Sequence, residues 1–159
     1  MIKSMGRLAP INILLVGNNP IELSKVQKSI NSFKKGFMKA TFLFDLKMLK
    51  QSISNLNPSA IFIDDNYNLK DVRKEISRIH SNTHTSHIPI TLLKSSNYSN
   101  FPKLDADDFI LKSNLSGKSI YNSVLNGRRF RISRIYFKKV YRVQKGRISD
   151  WKEKLQELF

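Results

Sequence analysis

Between Ile11 and Lys112 the apolar residues follow two alternating patterns: short continuous runs, and longer stretches in which they recur every three or four positions. The runs, at residues 11–16, 38–44, 58–65, 89–93 and 107–112, have the length and β-branched content of strands buried on both faces. The stretches carry the stripes Leu23, Val26, Ile30, Phe33, then Leu46, Leu49, Ile53, Leu56, then Leu69, Val72, Ile76, Ile79, each of which reads as one face of a helix. Asn19 caps the first helix, Pro20 suits its first position, Glu22 completes a capping box, and Lys34, Lys35 and Gly36 end it. Asn68 caps the third helix, which runs into a polar turn over residues 81–87. Residues 94–105, with their Ser, Asn and Pro102, have no helical period and predict a loop or a single turn of helix.

Strands that alternate with helices imply right-handed βαβ crossovers and a five-stranded parallel sheet covered on both sides. Beyond Leu115 the chain turns helical, with Ile120, Val124 and Leu125 placed to pack back on the sheet. Asn126-Gly127 can end that helix, or Gly127 can be absorbed into a longer one at about 1 kcal/mol relative to Ala. On a helical projection Arg128, Arg131, Arg134, Lys138, Arg142 and Lys145 share one side, and Ile132, Tyr136, Val140 and Val143 the other. Lys145-Gly146 predicts a stop, after which Ser149 caps a short last helix burying Trp151, Leu155 and Leu158. The expected division is a domain over 1–126 and a basic amphipathic helical extension over 127–159.

Charge sharpens this picture. The formal net charge is +16, and residues 112–147 hold eleven basic side chains and no Asp or Glu. Such a segment attracts phosphate-rich or otherwise acidic surfaces. Cysteine is absent, which excludes disulfides, Cys-based zinc sites and thiol nucleophiles, and suits the cytoplasm. No apolar run approaches the roughly 20 residues that span a bilayer, and the start, MIKSMGRLAP, lacks the core of a signal peptide, so the protein is expected to begin near Met1.

The sharpest candidate chemistry lies where residues 58–65 end in Asp64 and Asp65, because ligands of open α/β sheets gather at the carboxyl ends of the strands. His80, His84 and His87 are irregularly spaced in a polar turn and read as solvated. Asp105, Asp107 and Asp108 precede a strand, remote from its carboxyl edge, and read as a turn.

The order and spacing of ILLVGNNPIE, NPSAIFIDD, HIPITLLKS and DADDFILKS, over about Ile11 to Asn126, resemble the receiver domain of bacterial two-component response regulators. The resemblance implies a flavodoxin-like, doubly wound sheet of order 2-1-3-4-5 and a role in phosphorelay signalling. It places Asp64 at the phospho-acceptor, Lys112 at the lysine that pairs with the phosphoryl group, Phe109 at the switch aromatic, and Asn66 at the residue whose carbonyl helps hold magnesium. The departures are as specific. Gly17 and Asn18 stand where the family has its metal-binding acid pair, Lys94 stands where it has Ser or Thr, with Ser95 beside it, and Ser113 replaces the proline after the lysine. The fourth-helix region looks shortened by about one turn. With only Asp64, Asp65 and Asn66 left, Mg²⁺ is expected to bind weakly at best and no other cofactor is expected. Lys94 is expected to supply the charge a metal would, in a fixed cluster with Asp64 and Lys112.

The expectation is therefore a stand-alone, degenerate bacterial receiver that is not an enzyme. It signals by contact with a histidine kinase or downstream regulator, with Asp64 phosphorylation weak or lost. For the basic helix two readings stay open. Its apolar side packs on the domain or in a homodimer, or its basic side, flanked by Phe130, Phe137 and Tyr141, binds nucleic acid through phosphate.

Overall fold

The computed structural model describes residues 10–34, 37–96 and 104–156. Five parallel strands, β1 (Ile11–Val16), β2 (Met38–Leu43), β3 (Ala60–Asp64), β4 (Ile90–Lys94) and β5 (Asp108–Leu111), form one sheet in the order 2-1-3-4-5. The helices are α1 (Pro20–Ser32), α2 (Leu49–Leu56), α3 (Leu69–Ser81) and α4 (Gly117–Gln156). Short 3₁₀ turns at Leu46–Met48 and Lys112–Asn114 lead into α2 and leave β5.

Alternation along the strands divides the core into two layers. Leu14, Val16, Ile61, Ile63, Ile90 and Leu92 pack with Leu49 and Ile53 of α2 and with Val72, Ile76 and Ile79 of α3. Ile13, Leu15, Phe62, Leu93 and Ile110 face the other way, onto Leu23, Val26 and Ile30 of α1 and Ile120 and Val124 of α4. Both faces are covered, so β3 and β4 are buried at every position. Of the stripes seen in the sequence, α1 buries Leu23, Val26 and Ile30, α2 buries Leu49 and Ile53, and α3 buries Val72, Ile76 and Ile79; Leu46 is buried in the 3₁₀ turn before α2, Phe33 lies just past the end of α1, Leu69 is half-buried and Leu56 is exposed.

Several sequence expectations are corrected. The capping box at α1 is half formed: the Asn19 side chain accepts from the backbone N–H groups of Ile21 and Glu22, but the Glu22 carboxylate turns away to Lys112. The chain does not break at Asn126-Gly127 or at Lys145-Gly146, because α4 is continuous over 40 residues, about 60 Å at the standard rise. A Cβ on Gly127 would lie 2.7 Å from Pro89 Cβ, so this glycine permits the close passage of α4 over the turn before β4. Around Gly146 no atom of the described residues outside the neighbouring helix backbone lies within 4 Å of such a Cβ, so the helix runs on through it. Trp151 is 72% exposed and buries no face; Leu158 and the Leu155 side chain lie outside the described residues, as do Lys35, Gly36 and Pro102.

Beyond Gly127 the apolar side of α4 does not pack on the domain, as one of the readings of the basic helix had it. Ile132, Tyr136 and Val143 are exposed, whereas Arg131 is buried with its side chain only 3% accessible. Arg131 is therefore no surface residue. Its Nε lies 3.2 Å from Asp107 Oδ1, and Arg134 Nη1 hydrogen-bonds Asp105 Oδ1 at 2.7 Å. Asp107 also accepts from Ile90 N at 2.8 Å, so its carboxylate is held inside and requires a cation beside it. His80 is likewise buried, on α3, with its ring nitrogens 3.5 Å from Asp105 Oδ2 and 3.6 Å from Asp107 Oδ2. Two of the three aspartates read as a turn, Asp105 and Asp107, thus join α3 and α4 to the start of β5, and Thr91 and Ser123 add a buried hydroxyl pair at 2.8 Å.

Two stability measurements follow from this packing. Gly127→Ala is expected to lose about 1–3 kcal/mol by overpacking against Pro89, while Gly146→Ala gains about 0.5–1 kcal/mol from helix propensity, both read by urea unfolding. Arg131→Met, which strands the Asp107 carboxylate, is expected to cost about 3–5 kcal/mol, against less than about 0.5 for the exposed Lys139→Met.

Candidate functional site

At the carboxyl edge of the sheet, β3 delivers Asp64 and Asp65, α1 contributes Glu22, and the end of β5 contributes Lys112. The Lys112 ammonium lies 2.6 Å from Glu22 Oε2, 2.7 Å from Asp64 Oδ1 and 3.0 Å from Asp65 Oδ1. Asp64 is 1% exposed; its Oδ1 also accepts from Asn66 N at 3.0 Å, and its buried Oδ2 has no hydrogen-bond partner among the described residues. Asp65 accepts from Ser95 N at 2.6 Å and from Ser95 Oγ at 3.0 Å, which ties β3 to the loop after β4. Asn66 Nδ2 donates to Glu22 Oε2 at 3.2 Å, and Asn18 Nδ2 reaches the Asn66 carbonyl at 3.5 Å.

Burial pushes the Asp64 carboxyl above its ordinary value, against the opposing hydrogen bonds of Lys112 and Asn66. Burial acts on Asp65 in the same direction, but hydrogen bonds from Ser95 and Lys112 hold it below its ordinary value. The hydrogen bond from Lys112 lowers Glu22. Lys112 itself is disfavoured as a cation by burial, yet its three carboxylate partners raise it well above a free lysine. The ammonium is thus permanent, and it is shared.

Lys94, at the end of β4, is 9% exposed, and its Nζ lies 5.1 Å from the centroid of the Phe109 ring, a cation–π distance. Phe109 is 54% exposed on the edge strand β5. The structure thus brings Asp64, Asp65 and Lys112 into direct contact and sets Lys94 against Phe109. Glu22 is the site residue that sequence reasoning missed, because its local role as a helix-start acid concealed a partner 90 residues away. His80 carried a signal, since it continues the Val72, Ile76 spacing by four residues.

A divalent ion fits this donor set poorly. Mg²⁺ asks for near-octahedral oxygen ligation at close range. Gly17 offers no side chain, and a Cβ there would lie 2.9 Å from Leu23 Cδ2 and 3.2 Å from Asp64 Cβ, so a larger residue is excluded unless Leu23 shifts. Asn18 presents an amide nitrogen to the Asn66 carbonyl, and the carboxylate oxygens converge on Lys112.

Because folded Asp64 keeps its proton to higher pH than the unfolded chain does, its ionised form costs stability above the raised pKa, and that cost vanishes as pH falls through it. Asp64→Asn is therefore expected to unfold at higher denaturant than the parent at neutral pH. The gap should narrow as pH is lowered from about 7 toward the ordinary Asp value of about 4, as read by urea titrations of both proteins. A parent more stable than the Asn protein at neutral pH would contradict it.

No protein-family model matches the chain and no curated protein matches it in sequence. Solved structures do match in fold. The receiver domain of a sensor histidine kinase from Pseudomonas aeruginosa, with magnesium coordinated in its active-site cleft, superposes with a TM-score of 0.62 at 17% identity, over 76% of this chain and 98% of that one. A phosphorylated cyanobacterial phytochrome response regulator gives 0.56 at 20% identity, over 79% and 96%. An atypical orphan response regulator with a phosphorylation-independent regulatory mechanism gives 0.57 at 22% identity, over 75% and 96%. The fold of this chain, with its 2-1-3-4-5 sheet and its acid at the end of β3, is that of response-regulator receiver domains.

Proposed function

We propose that the chain is an atypical receiver in two-component signalling that acts by protein contact, with no enzymatic turnover and with phosphorylation of Asp64 weak or lost. The observation that carries this reading is the Lys112 ammonium, held within 3.0 Å of Glu22, Asp64 and Asp65. A carboxylate attacks a phosphoryl group best when it is exposed and when cations are free to offset the charge on the phosphoryl oxygens. Here Asp64 is enclosed and its lysine already serves three carboxylates. Gly17 and Asn18 supply no charged oxygen for Mg²⁺, which is consistent with weak binding of that ion. A cluster already tied together by one shared cation favours one conformation without a phosphoryl group, and a kinase or downstream regulator would then read a constant surface. A regulator with phosphorylation-independent control among the structural neighbours lends this reading support.

Treatment with acetyl phosphate and Mg²⁺, followed by intact-mass measurement, tests it. The expected result is little or no added phosphoryl mass in the parent, indistinguishable from Asp64→Asn. Rapid, near-complete addition of one phosphoryl group to the parent and none to Asp64→Asn would overturn it.

A further inference from the structure

At the opposite edge of the sheet from Asp64, the end of α3, the 82–87 turn and α4 enclose a groove of about 660 Å³. One wall presents Arg131, Arg134, Lys138, Lys139 and Arg142, and the carboxylate among the lining residues is Asp105, already hydrogen-bonded to Arg134. Positive charge is therefore in large excess. The other wall carries hydroxyls, from Ser77, Ser81, Thr83 and Ser86. Arg131, buried and paired through its Nε with Asp107, adds a fixed positive charge behind the basic wall.

We propose that this groove binds a small ligand carrying two or more phosphoryl groups, held by Arg134, Lys138, Lys139 and Arg142. Several cations gathered around one concavity suit a compact multivalent anion, whose tetrahedral groups offer acceptors both to the guanidinium forks and to the hydroxyls opposite. The volume falls within the range of about 300–1,000 Å³ typical of small-molecule sites. Nucleic acid, the partner suggested by net charge alone, would instead use basic residues spread along the whole exposed face of α4, including Arg129 and Arg147, which do not line the groove. The site lies apart from the Lys112 cluster and holds whether or not Asp64 is phosphorylated.

Isothermal titration of the full chain with inorganic triphosphate, ATP and orthophosphate tests the proposal. Triphosphate and ATP are expected to bind saturably at one site, and orthophosphate about tenfold or more weaker. Lys138→Ala with Arg142→Ala, both exposed positions, should weaken triphosphate binding by about tenfold, whereas Arg129→Ala with Arg147→Ala removes the same charge and should change it by less than about twofold. ATP matching triphosphate would identify the phosphoryl chain as the whole ligand, and ATP exceeding it would identify a nucleotide; both support the groove. Absence of saturable binding, or equal losses in the two double variants, would overturn it. So would random duplex DNA binding that both double variants weaken alike and that triphosphate fails to displace, which would place the anion site along the helix instead.

Discussion

One ammonium group organises the carboxyl edge of this molecule. Lys112 leaves the last strand, reaches Glu22 on the first helix and both aspartates at the end of the third strand, and so ties three separate parts of the chain at one point. Buried carboxylates in such proximity repel one another and lose hydration; a shared cation offsets both costs. The opposite shifts within the cluster show how the balance falls. Asp64, the most enclosed, is raised by burial, while Asp65 and Glu22, better supplied with donors, are lowered.

A second buried cation performs the corresponding task at the other edge. Asp107 is held inside by the Ile90 N–H at the start of β4, and Arg131 comes to it from α4. This pairing decides which side of the long helix faces the domain. An apolar residue at this point would have left the Asp107 carboxylate uncompensated, so Arg131 turns inward and Ile132, Tyr136 and Val143 are left exposed. The inward turn also brings Arg134, Lys138 and Arg142 alongside the hydroxyl-bearing turn after α3, forming a concave cationic surface where a helical projection shows only a stripe.

Much of the fold was legible because its signals are local. Strand runs such as Ile11–Val16 and stripes such as Val72, Ile76, Ile79 report burial directly, since residues next to or one turn from each other share a surface. The strand-end acid and its lysine were legible through the order of motifs. Local signals failed where a residue type had a common local use and a rarer distant one. Glu22 fits a helix start, Asp107 fits a turn, and Gly127 and Gly146 fit helix ends, yet a cation, an arginine and a proline far along the chain decided the first three.

By itself, the sequence determined the sheet, its helices, and the presence of Asp64, Asp65 and Lys112 at one edge, because periodicity and strand ends are properties of neighbouring residues. Only the tertiary structure decided that Glu22 completes the Lys112 cluster, that α4 runs unbroken, and that it turns Arg131 inward. These outcomes depend on which charges must share a low-dielectric interior, and that energy is set by distances in space that the order of residues along the chain does not contain.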